Sequence, residues 1–197
     1  MRYDAEHKER TRARVLEQAA IAIRLEGPQQ IGVKEVMAKA GLTHGGFYAH
    51  FTSKEDLVAA AMAQMFDEAV AIFEKLAAKK EPAIALRDYV DFYLSPRHRD
   101  MPEQGCPLPS ISADVHRLGP PAQASFEHGV NRLTAAFASC LASLRRAEPK
   151  ALASSALAEM VGALSLARGI ADRKKSDALL DHSRKLLKRR LGLRPLS

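Results

Sequence analysis

Two short stretches of this 197-residue sequence combine side chains able to do chemistry. The first is Thr43-His44-Gly45-Gly46-Phe47-Tyr48-Ala49-His50, where adjacent glycines sit among a threonine hydroxyl, two imidazoles and a phenol. A glycine inside a short helix costs roughly 1 kcal/mol relative to alanine, so a pair of them calls for a reason. Close approach of backbone N–H groups to an anion such as a phosphate is one reason, and a loose turn is the other. The second stretch is Gly105-Cys106-Pro107. Pro107 suits the first turn of a helix, which would set Cys106 at a helix N-terminus, where unpaired N–H groups favour a thiolate. Arg97, His98 and Arg99 lie close by in sequence and would add positive charge. Three readings stand for Cys106: a sensor of electrophiles or oxidants, a pocket lining without chemistry, or a small buried hydrophobe.

Further chemistry is sparse. Cys140 sits on a helix that bears an apolar seam and reads as packing, two cysteines do not make a disulfide framework, and the seven histidines include no pair with metal spacing on one helical face. No metal and no cofactor is expected. A thiol enzyme with Cys106 as nucleophile and His98 or His116 as base would need a Cys–His hydrogen bond and an oxyanion site, and nothing in the sequence supplies them. The chain is read as no enzyme.

The elements that must position these residues are helical throughout. Apolar residues recur at three and four, and no two-residue hairpin signal occurs. The spacing predicts a first helix over about residues 7–26 burying Val15, Leu16, Ala19, Ala20 and Ile23, stopped by Gly27-Pro28. Short helices follow over about 33–40 and 44–51, separated by Gly41-Leu42-Thr43 with Thr43 as an N-cap. Ser53 with Asp56 opens a long helix to about residue 80, and another runs over about 83–95. An irregular stretch through Pro96, Pro102, Gly105, Pro107 and Pro109 leads to a long helix after Pro121. Its apolar stripe, Phe126, Val130, Leu133, Phe137, Leu141 and Leu144, is narrow enough for helix-on-helix packing. A small-residue helix over about 149–171 and a basic helix over about 176–191 complete the pattern. The uncharged apolar runs fall short of the roughly 18 residues that cross a bilayer, and the charged N-terminus resembles no export signal. A cytoplasmic protein with no membrane contact is expected.

Thirty basic against 23 acidic residues give a net charge of +7. Residues 1–52 hold only eight basic against six acidic side chains, whereas from Arg173 onward nine face two. Any nucleic-acid contact must therefore rest on placed residues rather than on the total. Two short helices joined by a three-residue glycine turn and packed on a preceding helix form a helix-turn-helix, whose second helix fits the DNA major groove.

The particular run Ala40-Gly41-Leu42-Thr43-His44-Gly45-Gly46-Phe47-Tyr48-Ala49-His50-Phe51 followed by Ser53-Lys54-Glu55-Asp56-Leu57 closely resembles the signature of the tetracycline-repressor (TetR/AcrR) family of bacterial transcription regulators. The resemblance implies an all-α protein: a three-helix DNA-binding head over residues 1–52 and a helical ligand-binding and dimerisation body over 53–197. It implies that Thr43 and His44 start the DNA-facing helix, that Tyr48 and His50 hydrogen-bond phosphates, that Lys54 neutralises a backbone charge and that Lys34 contacts DNA. Gly45 and Gly46 join these as the points of close approach. Gly32 departs from the family pattern, which usually has a threonine cap there, and His44 replaces a more usual Ser, Lys or Arg. Arg10, Arg12 and Arg14 read either as a basic arm over the DNA backbone or as a solvated helix end.

For the body the resemblance implies a homodimer bound to a pseudo-palindromic double-stranded operator, released by a small, mostly apolar or electrophilic molecule. Met65, Phe66, Tyr89, Phe92 and Tyr93, with Cys106, are candidate pocket residues, and their spacing is equally that of a core. The long helices over about 121–171 are the candidate dimer surface. A DNA-binding protein with no inducer is the alternative, distinguished by a body without a ligand-sized cavity.

Overall fold

The computed structural model describes residues 2–193, with side chains from residue 6. Every element among them is helical: α1 Arg2–Glu26, α2 Val33–Lys39, a 3₁₀ turn His44–Ala49, α3 Lys54–Ala77, α4 Pro82–Tyr93, α5 Pro96–Asp100, a 3₁₀ turn Pro102–Gln104, α6 Leu108–Ile111, a 3₁₀ turn Val115–Arg117, α7 Pro120–Ser143, α8 Pro149–Gly169 and α9 Arg173–Arg190. The chain divides into two compact units, Met1–Asp67 with Cys106–Gly129 and Glu68–Gly105 with Val130–Ser197. This division by compactness falls elsewhere than the division after residue 52 that the resemblance implies, because α3 and α7 each supply residues to both units.

In the first unit α1 buries the five residues its periodicity marks, Val15, Leu16, Ala19, Ala20 and Ile23. It ends where Gly27 takes a φ of +88°, a left-handed conformation that glycine adopts at no steric cost. The end of α2 is a Schellman pair: Leu42 N–H donates to Met37 O and Gly41 N–H to Ala38 O, each at 2.9 Å, with Gly41 at φ +72°. At its start Gly32 offers no side-chain cap. α3 has one, since Asp56 N–H donates to Ser53 Oγ at 3.1 Å while Thr52 N–H and Oγ–H both donate to Asp56 Oδ2.

The second unit is organised by α8 packed along α9. Asp172 caps α9 by accepting from Lys174 and Lys175 N–H. Buried Arg99 on α5 ties that segment to α9: its guanidinium donates to Ser176 Oγ at 2.7 Å, to Asp177 at 2.6 Å and to Asp100 at 2.8 Å. Ser176 Oγ–H in turn donates to Ala167 O, and Arg168 on α8 donates to the His98 and Arg99 carbonyls. The paired carboxylates hold Arg99 protonated beyond the usual arginine range, and Arg99 with Arg173 pulls Asp100 down to about 2.

One expectation is corrected here. The α7 stripe is used inside its own chain: Leu133, Phe137 and Leu141 are buried in the second unit, and Phe126 meets Phe66 edge-on at 5.9 Å in the first. Periodicity reveals that a face is covered but not what covers it. By length and composition alone α8, with 21 residues and a mean hydropathy of 1.2, is apolar enough to cross a bilayer, as a packed core helix also is. Its apolar side, Ala156, Leu157, Met160, Ala163 and Leu164, is buried within the unit, and its other side is small and serine-rich.

Candidate nucleic-acid interface and ligand pocket

The 44–51 segment forms a 3₁₀ turn over His44–Ala49 rather than an α-helix. Two glycines lower its helix propensity by roughly 1 kcal/mol each, and Thr43 stands at the N-cap position without making a side-chain cap bond. Phe47 and Phe51 anchor it, each 2% exposed, with rings stacked at 5.6 Å. Tyr48 and Ala49 between them are exposed, while His50 is half-buried. Tyr48 is 72% exposed with only its ring edge against Phe47, and Thr43, His44 and Gly45 are exposed. Neither glycine is required by the chain itself: both lie outside the left-handed region, a Cβ on Gly45 would meet nothing within 4 Å, and one on Gly46 would make only ordinary contacts.

Lys34 is exposed on the first turn of α2. Lys54 is half-buried, and its Nζ donates to Gln29 O at 2.8 Å, which fixes the ammonium beside the α1–α2 turn with N–H groups to spare. His50 is half-buried with Nδ1 shielded from solvent and without a hydrogen-bond partner among the described residues. Burial, then the Lys8 and Arg12 charges, hold its pKa below the usual histidine range. Arg12 lies over the Phe51 ring at 5.0 Å, so of the three candidate arm residues only Arg10 and Arg14 stand in solvent. The basic end of α9 is internally paired apart from exposed Arg189: Lys188 meets Asp91, Arg184 and Lys185 meet Asp181, and Arg190 meets Glu159.

The candidate pocket residues separate by unit. Met65 and Phe66 are core of the first unit, and Phe66 is closely covered by Gly129. Tyr89 and Tyr93 are core of the second, where Tyr89 packs with Phe73 at 4.9 Å and with Phe137 at 6.1 Å. Phe92 lines a pocket of about 450 Å³ whose other walls are Ile72, Lys75, Leu76, Arg97, His98, Met101 and Gln104. Sequence reasoning missed Lys75, Met101 and Gln104 because isolated polar or flexible residues at helix rims carry no periodic signal.

His98 is buried between Phe92, stacked on it at 5.2 Å, and Tyr93, edge-on at 4.8 Å. Its Nδ1 lies 2.8 Å from Tyr93 O, and because a carbonyl only accepts, Nδ1 carries the proton. Burial, reinforced by the Arg168 charge, pushes its pKa down to about 4. It is a neutral imidazole and adds no positive charge. Cys106, in the first unit, is 6% exposed, and the helix after Pro107 has four residues, too few to build the dipole that would activate a thiol.

Residues 15–61 match the model for bacterial regulatory proteins of the tetR family. Over 86 residues the chain is 27% identical to an uncharacterized HTH-type transcriptional regulator, YfiR, of Bacillus subtilis, a match spanning 44% of this chain and 42% of that one. Solved structures of similar fold include Escherichia coli NemR in its reduced form, with TM-score 0.80 at 20% identity over 91% of this chain and 95% of that one. A TetR-family transcriptional regulator from Agrobacterium tumefaciens gives 0.79 at 19% identity over 92% and 98%. One from Legionella pneumophila gives 0.78 at 18% over 90% and 95%. At these identities the likeness is one of fold.

Proposed function

Through residues 15–61 this chain belongs to the tetR family of bacterial regulatory proteins, and on that premise we propose that it is a ligand-responsive repressor that binds a pseudo-palindromic operator as a cytoplasmic homodimer. The observation that carries the DNA contact is the division of the 3₁₀ turn into a buried side, Phe47 and Phe51, and an outward side of Thr43, His44, Gly45 and Tyr48. Lys34, Gly46, His50 and Lys54 complete the phosphate contacts. Long donors are few on this face, so base readout is sparse and DNA shape carries a larger share of specificity.

The partner surface we assign to α8 and α9. On α8 the residues Ala151, Ser154, Ala158, Gly162 and Leu166 are exposed at spacings of three and four, and on α9 Leu186 is 53% exposed. Small residues let two helix pairs approach closely as a four-helix bundle. The 450 Å³ pocket favours a ligand-responsive protein over one with no inducer. A ligand there biases the position of α3, one continuous helix from its Ser53 cap to Ala77, and so the spacing of two heads that must match a DNA turn of about 34 Å.

The test is fluorescence anisotropy with the protein's own promoter DNA at fixed salt. His44→Ala and Tyr48→Ala are each expected to weaken promoter binding about tenfold or more while leaving the melting temperature within a few degrees. Promoter affinity unchanged in both variants would overturn the reading.

A further inference from the structure

The pocket of the second unit is chemically asymmetric. Ile72, Leu76, Phe92 and Met101 give it an apolar wall, while Lys75 and Arg97 bring two cations from different elements, α3 and α5. No acidic side chain lines it. Several other cations of this unit meet carboxylates: Lys80 meets Asp88, Arg99 meets Asp100 and Asp177, Lys188 meets Asp91, and Arg190 meets Glu159. Lys75 and Arg97 form no ion pair or hydrogen bond with any described side chain, and both are exposed at the rim. His98, whose Nδ1–H is committed to Tyr93 O and whose ring is stacked on Phe92, is neutral and contributes shape rather than charge.

Resting on the reading that this pocket takes the regulatory ligand, we infer that the ligand is an amphipathic carboxylate, an aromatic or short aliphatic acid with its body along Phe92, Ile72, Leu76 and Met101 and its carboxylate between Lys75 and Arg97. A neutral apolar ligand would use the apolar wall alone and gain nothing from the two rim cations. A cationic ligand would be repelled. A carboxylate accepts charge-assisted hydrogen bonds from both groups, and the planar guanidinium of Arg97 matches its two oxygens. The volume of about 450 Å³ falls in the ordinary range for small-molecule sites.

Isothermal titration of the full-length protein with 4-phenylbutyrate, 4-phenylbutanol and 4-phenylbutylamine tests this, since the three share a body and differ in the charge of the head. The acid is expected to bind saturably and about tenfold more tightly than the alcohol, and the amine not at all. Raising salt from about 50 to about 500 mM weakens the acid and spares the alcohol. Lys75→Met with Arg97→Met removes the preference for the acid without lowering the melting temperature of the unliganded protein, and the Gln pair carries the same test if the Met pair does not fold. Absence of saturable acid binding, equal or tighter binding of alcohol or amine, or a preference that survives the double substitution overturns the inference. Promoter DNA added to the same samples separates the two ideas. Acid that binds without releasing DNA leaves the ligand class standing and overturns its regulatory role; acid that fails to bind overturns the ligand class while promoter affinity remains as measured.

Discussion

Gly129 of α7 lies directly against the ring of Phe66 on α3, so close that a Cβ there would stand 2.1 Å from Phe66 Cγ. Phe66 is 1% exposed and edge-on to Phe126, so its ring has nowhere to retreat. Alanine at 129 would gain roughly 1 kcal/mol of helix propensity, but the overlap is with a fixed ring, and overpacking of this kind costs about 1–3 kcal/mol or more. Gly129→Ala is therefore expected to lower stability, read as a reduced denaturation midpoint. A midpoint at or above that of the parent protein would show that the two helices separate easily.

The recognition turn presents the opposite case. Because nothing in the chain meets a Cβ at Gly45, Gly45→Ala is expected to leave stability unchanged or up to about 1 kcal/mol higher. The same substitution should reduce promoter affinity about tenfold if, as proposed, Gly45 is a point of close phosphate approach. Loss of stability together with affinity would mean that the glycine serves the fold.

His98 ties stability to pH with a definite sign. Its folded pKa of about 4 lies below the ordinary 6.5, so between those values the unfolded chain binds the extra proton. The contribution is fully present above about pH 6.5 and is lost as pH falls toward 4, reaching on the order of 3 kcal/mol. Melting temperature measured from pH 7 to 4.5 should fall for the parent protein and fall less steeply for His98→Asn, which retains a donor for Tyr93 O. His50, also depressed, contributes the same sign in both proteins. Parallel curves would assign the pH dependence to groups other than His98.

The assignment of the dimer surface makes Gly162 the informative position. A Cβ there meets nothing in the chain, so a large side chain is harmless to the protomer and obstructs only a partner. Gly162→Leu is expected to shift the protein from dimer toward monomer in light scattering at micromolar concentration, with helical content preserved. A dimer that persists would move the interface away from α8.

Cys106 is predicted to be slow. It is buried at the head of a four-residue helix, and Cys140 has its pKa raised by burial. Brief treatment with a mild electrophile should leave promoter binding alike in the parent protein and Cys106→Ser. Release confined to the parent protein would establish Cys106 as a sensor despite its burial.

The sequence was most legible where one physical constraint acted alone. Val15, Ala19 and Ile23 announce the buried side of α1 through period alone, and Gly41 announces a left-handed helix end because few other residues take that conformation cheaply. Legibility failed where two constraints leave the same trace. Phe126 to Leu144 has the spacing of a seam between chains and of a seam within one, and only tertiary packing separates them. Tyr89 and Tyr93 carry the period of a pocket wall and of a core, and both proved to be core. Lys75 and Arg97 look like any solvated helix rim until the apolar wall beside them is known.

The Arg99 anchor has a consequence for how this chain can vary. Arg99 and Ser176 hold the base of the 96–105 loop to α8 and α9, whereas Arg97, Met101 and Gln104 on the same loop face the pocket and bear none of that attachment. The loop is thus divided between positions that must stay and positions free to change. Recognition of a new molecule is open to selection, or to a laboratory library confined to residues 97, 101 and 104, without renegotiating the framework that carries them.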